Sequence, residues 1–98
     1  MDHEMTIDDL TCEWEEDGEL TVEQLDKFVL TKGAWSTIMY KYRERKPDGS
    51  WSEPKARVQR YRKQRGRYSS QSKFNVSSAK QARQIVGQLQ EWFPEEEA

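Results

Sequence analysis

The chain has 98 residues, with 16 Lys and Arg against 18 Asp and Glu, 34% hydrophobic residues, 35% charged residues, one cysteine and one histidine. That length holds one domain with a small core, and a lone Cys12 excludes an intramolecular disulfide. The formal net charge of −2 hides a segregation: the first 26 residues carry 11 carboxylates and no Lys or Arg, residues 27–91 carry all 16 cations and four acids, and Glu95, Glu96 and Glu97 close the chain.

Residues 1–20 read as an acidic, weakly ordered arm, because Glu13-Trp14-Glu15-Glu16-Asp17-Gly18 cannot form a core by itself. Ile7, Leu10 and Trp14 could dock it. A tethered acidic arm next to a basic body should compete for the basic surface through contacts that salt screens. Residues 21–94 are expected to form a single α+β domain and 95–98 an acidic tail. Thr21-Val22-Glu23-Gln24 fits a capping box, with Val22, Leu25, Phe28 and Val29 at helical spacing, so a short helix is expected there; a strand over 28–31 competes with it.

Residues 35–46 are rich in β-branched and aromatic types and predict a strand. Pro47-Asp48-Gly49 is a turn signal, and residues 51–64 return as a second strand, irregular near Pro54. Gly66 marks a second turn, and 68–76 form a third strand. Ser78-Ala79-Lys80-Gln81 is a capping box that opens an amphipathic helix. Its stripe is Ala82, Ile85, Val86, Leu89, Trp92 and Phe93, and Pro94 ends it. The expected fold is α+β: a three- or four-stranded antiparallel sheet packed on the C-terminal helix. Dimerisation would help so small a core.

Alternation along strands divides the sheet into two expected faces. An apolar face of Ile38, Ala56, Val58, Phe74 and Val76 would receive the helix. The other face would carry Lys41, Arg43, Arg57, Gln59, Tyr61, Lys63, Lys73 and Asn75, with Arg65 and Arg67 at the adjoining turn. Basic groups for phosphates, a tyrosine for stacking and amides for base edges make a single-strand binding platform. A bulge near Pro54 would break this parity. A charged outer face is commonly just a solvated surface, but such surfaces mix both signs. Residues 27–91 have a net charge of +12, the footprint of a polyanion ligand.

Catalytic chemistry is not expected. His3 stands alone near the terminus, and His3, Glu4 and Cys12 lack the number and spacing of zinc ligands. No phosphate-cradling glycine loop is present. We therefore expect a non-enzyme with no cofactor and no metal. With no apolar run of membrane-spanning length and no secretory leader, we expect a cytoplasmic protein with no membrane partner.

The run Tyr61-Arg62-Lys63-Gln64-Arg65-Gly66-Arg67-Tyr68, followed by Ser72-Lys73-Phe74-Asn75-Val76-Ser77 and the helix, resembles the positive cofactor four (transcriptional coactivator) family over about residues 35–93. Val58, Tyr61, Gly66, Lys73, Phe74 and Val76 sit where family-like residues would sit. Lys73 stands where the family has Gly, and Gln59 where it has Arg. The resemblance implies single-stranded DNA binding on a curved sheet, a homodimer formed through the C-terminal helix, and an accessory role in transcription or replication. The order of three strands and a helix also resembles the DNA-binding domain of integrase arms and plant ethylene-response factors, which lays its sheet in the major groove of duplex DNA. A reading from another class is a protein-interaction adaptor whose basic sheet receives an acidic partner.

Overall fold

Two tight turns, each with both central residues at positive φ, shape the two ends of the sheet. Asp17 and Gly18 (φ 51° and 80°) join β1 (Trp14–Glu16) to β2 (Glu19–Thr31), and Arg65 and Gly66 (φ 53° and 76°) join β4 (Lys55–Gln64) to β5 (Arg67–Val76). Such two-residue turns match the twist of antiparallel strands. The computed structural model describes residues 4–96. With β3 (Trp35–Glu44) the strands form one antiparallel meander in the order β1-β2-β3-β4-β5, followed by α1 (Ala79–Trp92). The α+β class, the antiparallel sheet and the C-terminal helix stand as expected, with five strands instead of three or four. Among the described residues no helix is long and apolar enough to cross a membrane.

The two additional strands come from the acidic segment and from the stretch expected to be helical. Thr21 Oγ1 donates to the Trp14 carbonyl, and the Gln24 side-chain carbonyl accepts from Thr11 Oγ1 and the Cys12 amide. The capping-box residues therefore bind neighbouring chain instead of a helix terminus. Thr21, Val22, Phe28, Val29 and Thr31 are strand formers, and pairing with β3 along most of β2 overrides the helical spacing of the apolar residues.

The core lies on one face of the sheet. Ser36, Ile38, Tyr40 and Tyr42 of β3 and Tyr61 of β4 are buried there, and Leu10 and Cys12 of the acidic segment close over them. Met5 and Ile7 pack at the margin of this cluster. The Met5 amide donates to the Gly66 carbonyl at 2.9 Å, and the Lys27 ammonium donates to the carbonyls of Ile7 and Leu10 at 2.6 and 2.7 Å. The acidic segment is thus the second layer over the sheet.

The expected division into faces does not survive the β3–β4 register. Close to the loop, Arg45 bridges Trp51 and the Ser52 amide donates to the Glu44 carbonyl. Further along, Tyr42 pairs with Lys55, Tyr40 with Arg57 and Ile38 with Gln59. From Glu44 to Tyr42 is two steps, whereas Ser52 to Lys55 is three, so one extra residue lies at Glu53-Pro54. A one-residue slip moves every following side chain to the opposite face. Proline, with no amide to donate, suits such a break in the ladder. Ile38 therefore shares its face with Arg57, Gln59 and Tyr61, whereas Ala56, Val58, Phe74 and Val76 lie with Met39, Lys41 and Arg43 on the other.

The helix is built as its sequence predicts. The Ser78 side chain caps it by accepting from the Gln81 amide, and the Gln81 side chain reaches back to the Ser77 amide. It meets the sheet at its N-terminal end, where Ala79 and Ala82 face Phe28, Met39, Lys41 and Ala56 across a groove of about 330 Å³. Val86, Leu89, Trp92 and Phe93 remain exposed.

Candidate nucleic-acid interface

Six of the expected site residues share the covered face, and the fold already engages most of them. Tyr61 is only 5% exposed; its hydroxyl lies 2.7 Å from that of Tyr40, and its ring meets Tyr68 edge-on at 6.4 Å. Burial pushes both phenols up from their ordinary value; for Tyr40 the hydrogen bond with Tyr61 adds to the shift, and for Tyr61 it opposes it. Arg57 lies over the Tyr42 ring at 4.9 Å and donates to the Asn75 side-chain carbonyl at 2.7 Å. Gln59 donates to Ser70 Oγ at 2.9 Å. Lys63 pairs with Glu4 at 3.1 Å, a hydrogen bond that holds its ammonium above the usual lysine value. Lys73 and Asn75 are exposed near the β5 edge. Tyr61 is therefore a core residue and cannot stack a base, which removes the centre of the expected platform.

Lys41 and Arg43 lie on the opposite face, and Arg65 and Arg67 flank Gly66 at the β4–β5 turn. This second face contains groups that sequence reasoning did not assign. Trp35, 41% exposed, is flanked by the guanidinium carbons of Arg60 at 4.4 Å and Arg62 at 5.3 Å from its ring centroid. The register explains the cluster: Trp35 pairs with Arg62 and Thr37 with Arg60, while Ser69 and Ser72 stand opposite these arginines on β5. Among the described residues neither Arg60 nor Arg62 makes an ion pair.

A second indole cluster lies at the other end of the same face. Trp51 lies against Arg43 at 4.4 Å and Arg45 at 4.5 Å. Here the cations are already committed. Arg43 pairs with Glu23 at 2.8 Å, and Arg45 donates to the carbonyls of Leu20 and Gly49. The two clusters differ chemically: the Trp51 group ties the β3–β4 loop to β2, and the arginines of the Trp35 group have no acidic partner among the described residues.

An indole with two guanidiniums on it suits a phosphodiester strand. Arginine forks match phosphate oxygens in a bidentate way, and an exposed indole offers a stacking surface for any base. The sequence signal for this site is the Arg60-x-Arg62 spacing, which puts both cations on one face of a strand. Trp35 could be joined to it only once the β3–β4 register was known. The chain matches no family model, no curated protein and no solved structure.

Proposed function

We propose that the chain is a single-stranded nucleic-acid-binding module whose ligand crosses Trp35, Arg60 and Arg62. The observation that carries this reading is the pair of arginines without acidic partners held against a half-exposed indole, within a segment that concentrates every Lys and Arg of the chain. Hydroxyls of Thr37, Ser69 and Ser72 share that end of the face and suit phosphate contacts. The reading keeps the ligand class expected from the charge and moves its site to the opposite face of the sheet.

The test is a titration of the full chain with labelled oligothymidylate and with duplex DNA of matched length, over a range of salt. The single strand should bind more tightly, with affinity falling linearly in log salt, and Trp35→Ala should weaken it by about 5- to 150-fold, the range for one stacked base. Equal or tighter binding to duplex would favour groove docking. Absence of binding at low salt would reject the reading.

A further inference from the structure

The total accessible surface of this chain is larger than that of a compact monomer of its mass. It exposes 7908 Å², whereas surface scaling for a folded monomer of 11.7 kDa gives about 5,900 Å². The excess is roughly 2,000 Å². The radius of gyration is 16.0 Å, against about 13 Å for a compact chain of this length. Two features account for it: the uncovered sheet face and the helix that leaves it after one contact at its N-terminal end.

Both features are apolar. Phe28, Met39, Val58 and Phe74 form one row across β2, β3, β4 and β5, with Phe28 63% and Phe74 56% exposed. The helix presents Val86, Leu89 and Trp92. A row across four strands spans three inter-strand spacings, about 14 Å. The helical stripe from Val86 to Trp92 covers about 9 Å and fits within that row. The helix needs a sheet face and the sheet face needs a helix, the standard pairing of layers in a domain.

We propose that a second copy of this chain supplies both: in a two-fold dimer the helix of each copy seats its Val86–Leu89–Trp92 stripe on the Phe28–Met39–Val58–Phe74 row of its partner. A two-fold axis makes one contact into two identical ones. The excess area per chain matches what an obligate homodimer buries, about 1,000–2,500 Å² per subunit. The chain's own two unpartnered faces are the complementary pair, so no other partner is required. Arg60 stands one same-face position beyond Val58, and Trp35 and Arg62 one further, so the partner helix would border the proposed nucleic-acid site and the test is made without nucleic acid.

The experiment has two arms, both without nucleic acid. Light scattering on the full chain at micromolar concentration should give twice the chain mass, and Leu89→Glu should give the single mass with an unchanged circular dichroism spectrum. A monomeric full chain would overturn the proposal whatever the variant does. In the second arm, chains carrying only Leu89→Cys are mixed with chains carrying only Phe74→Cys and oxidised. A crosslink between the two kinds of chain is the expected result. Crosslinks confined to pairs of Leu89→Cys chains would show helix against helix and overturn the helix-on-sheet arrangement.

Discussion

The hydroxyls of Tyr40 and Tyr61 share a 2.7 Å hydrogen bond beneath the N-terminal segment, and this contact fixes which face of the sheet is interior. A tyrosine expected to stack a base is instead part of the core, and the proposed ligand is therefore assigned to the opposite face.

The pair sets the alkaline behaviour of the fold. Burial raises both phenols above their ordinary value near 10, so the folded state favours their neutral forms. A group raised in the folded state contributes stability that is present below its unfolded value and lost as pH rises past it. At pH 11 the phenolate absorbance of the folded chain should fall short of that of the four tyrosines, with the deficit removed by urea. Full ionisation of the folded chain at pH 11 would contradict the buried pair.

The acidic segment should be held by apolar burial and not by charge. Leu10 and Cys12 are each 7% exposed, whereas the Glu4–Lys63 pair is open to solvent and such pairs contribute little. Leu10→Ala should cost about 2–5 kcal/mol and Lys63→Met under about 1 kcal/mol, as measured by urea unfolding. High salt should leave Cys12 slow to react with a thiol reagent; rapid reaction as salt rises would show an electrostatically held arm.

Much of the fold was legible in local signals. The Ser78 cap and the 3.6-residue stripe specify the helix, and Pro47-Asp48-Gly49 and Gly66 mark turns that the structure contains. Asp17-Gly18 between short flanking runs is a strong hairpin signal, yet the surrounding carboxylates drew the reading toward a loose arm. The stretch from Thr21 to Thr31 carries helical spacing that only pairing with β3 overrules. Faces were not legible, because they depend on one extra residue at Glu53-Pro54. The alternation within β3 and within β4 is as expected, and their combination is still inverted; β5 adds a register shift at Gln71. The Trp35–Arg60–Arg62 cluster stayed hidden for the same reason.

That register can be challenged directly. Deleting Glu53 leaves two steps from Ser52 to Lys55, as from Glu44 to Tyr42, so the ladder closes without a bulge, Tyr40 keeps Arg57 as its partner and both faces are retained. We predict that the deletion chain keeps a cooperative thermal transition. A Glu53→Ala chain keeps the residue count and should melt within a few degrees of the parent, in line with the small effects of surface substitutions. A deletion chain that loses its cooperative transition would show that Glu53-Pro54 does not hold an extra residue.

Whether the proposed ligand uses the face of Trp35 or that of Tyr61 can be read from the salt dependence of oligothymidylate binding. Arg60→Gln with Arg62→Gln removes two phosphate partners from the proposed face; Arg57→Gln with Lys73→Gln removes two cations from the covered one. For single strands each phosphate contact contributes about 0.7 to the slope of log affinity against log salt. The slope should fall by about 1.4 for the first pair and change little for the second. The reverse pattern, with the slope lost at Arg57 and Lys73 and kept at Arg60 and Arg62, would contradict the Trp35 assignment.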